Sequence, residues 1–244
     1  MADFLIDHWE FFENQVKAVS LDHDTRLKQN QWCHCQREAK GLKTWMKAQG
    51  IETAVIESLT ADDARPRFEL YDDGSFMLIL RGVNLNEGAV PDDMLSVRLF
   101  WYQDRLISTR KTPSKAIAQI RDALQQGKGP KSISSLMVAI IDGLNRNVER
   151  FLNQVEISLE KMDESEEYDD DELYATHKRL LKLKRFMRPQ HYALSDFLNA
   201  DHDACEVIEP KVRNTVDTIS RINESIDFYL EQVKLMKEDA EQEQ

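Results

Sequence analysis

Four carboxylates, Asp217, Glu224, Glu231 and Glu238, recur every seventh residue near the C-terminal end of this chain. In a helix that spacing lines them up on one face, about 10 Å apart. As the solvated outer face of a helix, such a row simply holds the surface in water, which is the simpler reading. Brought toward a symmetry axis, it makes rings of carboxylate that concentrate cations ahead of a pore. A second acidic run, Asp163, Glu164, Glu166, Glu167, Asp169, Asp170, Asp171 and Glu172, could gather divalent cations weakly through its oxygens. It lacks the glycine and the fixed ligand positions of a calcium loop, so the expectation is an exposed, self-repelling tip between two helices. Trp32-Cys33-His34-Cys35 offers zinc-type ligand atoms. On a strand, however, Cys33 and Cys35 face one side and His34 the other, so the thiols read as small core residues rather than a shared tetrahedral site. His8, His23, His177, His191 and His202 show no paired metal-ligand spacing. With no Gly-rich phosphate loop, no Gly-x-Ser-x-Gly and no His-Glu-x-x-His, an enzyme is not expected and no cofactor is implied.

The acidic row needs a long helix beneath it. Val212, Ile219, Ile222, Ile226, Tyr229, Val233, Met236 and Ala240 supply the buried side of one, a seam of threes and fours nearly opposite the carboxylates. That predicts a stalk helix over 212–240, about 43 Å long. It reaches the last residues without a cap or breaker, as though a longer element continued beyond Gln244. Ile141, Leu144, Val148, Phe151, Val155, Leu159 and Met162 mark a second long helix leading into the acidic tip. Leu173, Leu180, Leu183 and Met187 mark an antiparallel return helix, kinked or opened at Pro189, with a polar turn over 199–209 before the stalk.

Ahead of these helices the signals are mixed. Strands are predicted over 31–36, 68–71, 76–83, 95–101 and 105–109, with Asp73-Gly74 turning a hairpin. A helix over 38–49 is stopped by Gly50, and Thr112-Pro113-Ser114 opens another through Leu124. The turn-rich 126–130 segment divides the chain into an N-terminal part, 1–130, and a long-helix part, 131–244. The expected fold class is α/β: an α/β/α sandwich around a mixed sheet, followed by long antiparallel helices and the stalk.

The formal net charge of −12 argues against nucleic acid and for cations or basic partners. Three cysteines do not make a disulfide framework, so a reducing, cytoplasmic setting is expected. No window reaches the roughly 18–20 apolar residues of a membrane span, so the chain as given reads as soluble.

Trp32-x-His34, Ala64-Arg65-Pro66-Arg67 before a strand, Asp104 to Arg110, Gly127-x-Gly129-Pro130 and Met187-Arg188-Pro189-Gln190, in that order over about residues 30–244, resemble the CorA family of divalent-cation transporters, and within it the zinc-transporter branch. His191 departs from the Arg common in that branch. The resemblance implies a homopentamer at the cytoplasmic face of the inner membrane. Its stalk helices form a funnel continuing into transmembrane helices that this chain lacks, with zinc as transported ion rather than cofactor. In this family the pore signature follows the first membrane span, so Gly82-Val83-Asn84 is a chance match. The rival reading is a soluble coiled-coil scaffold or regulatory protein.

Overall fold

A computed structural model of the chain describes residues 1–165, 168–201 and 209–242. Seven strands form one sheet: β1 Leu5–Phe12, β2 Gln15–Ala18, β3 Gln31–Gln36, β4 Arg67–Leu70, β5 Phe76–Gly82, β6 Leu95–Tyr102 and β7 Arg105–Arg110. Their spatial order is β2-β1-β3-β7-β6-β5-β4. The β3–β7 pair is parallel and the other neighbours are antiparallel, so the sheet is mixed. Helices α1 Leu42–Ala48 and α2 Thr53–Thr60 cover one face. The other carries α3 Lys115–Gln125 and three long helices, α4 Ile133–Ser165, α5 Asp170–Asn199 and α6 Glu209–Gln242. The α/β/α sandwich and the long helices thus match the expectation.

Being covered on both sides changes what the strands mean. The sequence of β6 alternates Leu95, Val97 and Leu99 with Ser96 and Arg98, yet all five are buried. Trp32, Leu78, Leu80, Val97, Leu99 and Leu106 face the long helices, whereas Cys33, Cys35, Met77, Ile79, Phe100 and Ile107 pack on α1 and α2. The 126–130 break separates α3 from α4, with Gly127 (φ 70°) and Gly129 (φ 91°) in backbone that other residues adopt only under strain. One apolar core nevertheless runs unbroken across it, from Trp9 on β1 to Met236 on α6.

Two elements go beyond the sequence reading. The β1–β2 hairpin turns at Glu13 (φ 46°) and Asn14 (φ 61°) without a glycine to announce it. Helix α2 is eight residues long, too short for its period to stand out. Helix α1 starts at Leu42 rather than 38 and ends at Gly50 (φ 83°) as expected. Pro189 lies inside a continuous α5. The polar turn expected over 199–209 falls mostly outside the described residues.

Candidate functional site

Helix α6, 34 residues and about 51 Å long, is set by its seam. Val212, Ile219, Ile222, Ile226, Tyr229, Val233 and Met236 are buried against α4 and α5. Rotation about the axis is thereby fixed, and Asp217, Glu224, Glu231 and Glu238 all point outward and are exposed. None of the four takes a hydrogen bond or ion pair from another described residue. Arg221, Phe228 and Leu235 interleave with them at the same three-four spacing, making a second seam on the open side. Phe228 is 60% and Leu235 52% exposed. Neither residue is among the sequence candidates, although the spacing that revealed the acidic row contains both. Large apolar groups repeated along an otherwise charged face are unfavourable in water and mark a surface available to a partner.

The acidic tip has partly structural work. Asp169 caps α5, its Oδ1 accepting from the backbone N–H groups of Asp171 (3.0 Å) and Glu172 (3.2 Å). Asp170, Asp171 and Glu172 occupy the first turn, where the positive end of the helix dipole favours them. Ser158 Oγ donates to Glu172 at 2.9 Å. Asp163 and Glu164 are exposed in the last turns of α4, while Glu166 and Glu167 lie outside the described residues. Lys237 of α6 sits 5.7 Å from the Tyr174 ring, so the tip and the far end of the acidic row share one end of the bundle. Among the described residues no three His, Cys, Asp or Glu side chains are grouped to hold a metal ion.

The row is joined to the sheet through the Met187–Gln190 motif. Strand β4 begins at Arg67, paired with Ile79, so its ladder stops one hydrogen-bonded pair short of Arg81. Arg81 on β5 therefore lacks a strand partner on that side, and Gln190 supplies one. Its Oε1 accepts from Arg81 N (2.7 Å) and its Nε2 donates to Arg81 O (3.1 Å) and Asn145 Oδ1 (3.0 Å), all buried. Nearby the Arg81 guanidinium donates to the Ala64 and Met94 carbonyls and lies 4.5 Å from the Phe186 ring of α5. Asp92, buried before β6, takes Lys182 of α5 at 3.2 Å. From α6, Asn223 donates to the Met187 carbonyl at 3.0 Å, two residues before Pro189. Sheet, α5 and α6 are thus locked in sequence by side-chain amides, roles that appear only once the chain is folded.

The Trp32–Cys35 cluster divides as expected. Trp32 Nε1 donates to Ser108 Oγ (2.8 Å), which also bonds His34 Nδ1 (2.6 Å) on the long-helix side. Burial, with Arg110 and Arg121 nearby, holds the His34 imidazole down to about 3, so it is neutral. Cys33 and Cys35 are fully buried on the other side, their sulfurs 3.3 Å apart, and burial pushes the Cys35 thiol up. Gly82 ends β5 against Leu144, in a structural role unlike a pore signature.

No helix among the described residues is long and apolar enough to cross a membrane. A family model described as "CorA-like Mg2+ transporter protein" matches residues 28–244. A zinc transport protein, ZntB, of Vibrio parahaemolyticus is 40% identical over 238 residues, 97% of this chain and 74% of the relative. The divalent cation transporter CmaX of Pseudomonas aeruginosa is 28% identical over 87% of this chain and 68% of its own length. The crystal structure of the Vibrio ZntB cytoplasmic domain superposes with a TM-score of 0.92 at 38% identity, covering 98% of both chains. Since the family model spans residues 28–244 and the Vibrio relative is 40% identical over 97% of this chain, the chain belongs to the CorA-like metal-ion transporter family.

Proposed function

We propose that this chain is the cytoplasmic funnel portion of a zinc-transporting member of the family, divided into a sheet part, 1–130, and a long-helix part, 131–244. The observation that carries the reading is the outward row Asp217, Glu224, Glu231 and Glu238 on a helix whose opposite face is fixed in the core. The likeness to the Vibrio zinc transport protein supports zinc as the ion. The exposed Phe228 and Leu235 support association of copies through the same face, five in the family's ring. In such a ring the row faces the axis and raises the local cation concentration at the entrance to a membrane pore formed by a C-terminal segment beyond this chain. The acidic tip, Asp163 to Glu172, lies at the same end and adds to that field. The setting is the cytoplasmic face of the inner membrane, with divalent cations and other copies of the chain as partners.

Occupancy also has a mechanical consequence. Cations bound between rows relieve like-charge repulsion among the α6 helices and favour their approach; empty rows favour spreading. Gln190, Asn223 and Asp92 tie that movement to the sheet. Neutralising all four row positions to Asn or Gln in the full-length protein should lower zinc flux when zinc is low on the side the funnel faces, with little change when it is saturating there. Unchanged flux at low zinc removes the row from the mechanism.

A further inference from the structure

On the face of the sheet covered by α1 and α2, away from the long helices, a cavity of about 310 Å³ opens between the end of α1, the start of α2, the Tyr71–Ser75 turn and the end of β6. That volume is at the small end of ligand pockets. One wall is aromatic: Tyr71 meets Phe100 edge-on with centroids 6.3 Å apart, and Phe100 stacks on Tyr102 at 5.5 Å. Glu52, Asp72 and Asp73 supply carboxylates, and no Lys, Arg or His lines the space. Hydrogen bonds from the Ser75 hydroxyl and backbone N–H hold the Asp73 carboxyl below the usual carboxylate range, so it is anionic at neutral pH. Burial raises the Tyr71 phenol, which donates to Glu69 at 3.0 Å, and pushes the Tyr102 phenol up to about 12. Both rings stay neutral, and the Arg105 guanidinium 5.6 Å from the Tyr102 centroid shows a cation already seated against this aromatic wall.

Ring faces and carboxylates together select positive charge, and the ring surface selects a ligand with a carbon body. The carboxylates do not converge as metal ligands, since no three acidic or metal-binding side chains among the described residues are grouped around one ion. Charges distributed along a flexible chain match this arrangement better than a bare divalent cation. We propose that the cavity binds a small aliphatic polyamine, its ammonium groups paired with Glu52, Asp72 and Asp73 and its methylenes lying on Tyr71, Phe100 and Tyr102. The site is on the opposite side of the sheet from α6 and does not depend on the zinc reading.

Calorimetric titration of the 244-residue chain with spermidine at about 0.15 M salt tests it. The expected result is saturable one-to-one binding that weakens at least about tenfold in the Glu52→Gln/Asp72→Asn double variant. Both substitutions are nearly isosteric and exposed, so the fold is retained, and Asp163→Asn/Glu164→Gln should leave affinity unchanged. Three outcomes overturn the proposal. One is the absence of saturable binding. Another is equal weakening in the Asp163/Glu164 control or equal displacement by magnesium at matched ionic strength, which assigns the heat to the general ion atmosphere of an acidic chain. The last is tighter binding of a lysine-rich peptide, which assigns the cavity to a protein partner.

Discussion

The sheet and the stalk helix treat charge in opposite ways. On β6, Arg98 is fully buried and donates to the Ser58 carbonyl at 2.9 Å, and burial with Arg37 and Arg81 nearby lowers its guanidinium to about 10. Arg81 is likewise buried and spends its donors on the Ala64 and Met94 carbonyls. On α6 the four row carboxylates stand in solvent with no partner among the described residues. A buried charge costs so much desolvation that it must be fixed by hydrogen bonds, and so it serves architecture. An exposed, unpaired charge contributes almost nothing to folding and is free to meet mobile ions. The contrast teaches which ionisable groups of this chain are open to mobile ions and which are not.

Four experiments sharpen or break that contrast. The largest effect should come from acid. His34 is held near 3, below its ordinary 6.5, so the unfolded chain takes up a proton that the folded chain refuses. Its contribution is complete above pH 6.5 and lost progressively as pH falls toward 3, on the order of 5 kcal/mol in all. Urea midpoints measured from pH 7 down to 4 should fall, and a His34→Gln variant should flatten that slope. Next, Gln190→Leu leaves the backbone of Arg81 and the Asn145 amide unpaired in the interior and should cost roughly 3–4 kcal/mol of stability in urea unfolding. Gly82→Ala would set a Cβ 2.7 Å from Leu144 Cδ2. Because that neighbour is a side-chain end, the cost should be smaller, about 1–3 kcal/mol, read from the same midpoints. The smallest effect belongs to the row: each of Asp217→Asn, Glu224→Gln, Glu231→Gln and Glu238→Gln should shift stability by less than about 0.5 kcal/mol. A loss of several kcal/mol there would mean that the row is structural.

Legibility in the sequence followed the same division. The acidic row and the α6 seam were readable because a long helix repeats its environment every three or four residues, and Val212 to Met236 proved buried as their spacing implied. The β4–β5 hairpin was readable because Asp73-Gly74 needs, and has, a residue at φ 84°. What escaped was tertiary. Gln190 acting as a missing strand partner depends on where β4 ends, over a hundred residues away in the chain, and no local pattern encodes it. Ser96 and Arg98 alternate with apolar residues as a solvent-facing strand face would, yet both are buried, Arg98 bonded to the Ser58 carbonyl of α2. The Glu13-Asn14 turn hid because positive φ was taken up by non-glycine residues. Phe228 and Leu235 share the spacing of the acidic row, but two apolar residues within a charged face are a weak signal until the opposite face is known to be buried.

The central claim is that neighbouring copies bring their acidic rows face to face around an axis. Replacing Glu231 with Cys in the full-length protein, in a background freed of Cys33, Cys35 and Cys205, and treating membranes with a short bismaleimide tests it most directly. The account predicts cross-links between copies extending up to five chains, weakened when zinc is chelated, with Lys161→Cys on the exposed side of α4 giving none. An assembled protein in which Glu231→Cys fails to cross-link would contradict it, because the row would then face solvent outside the ring.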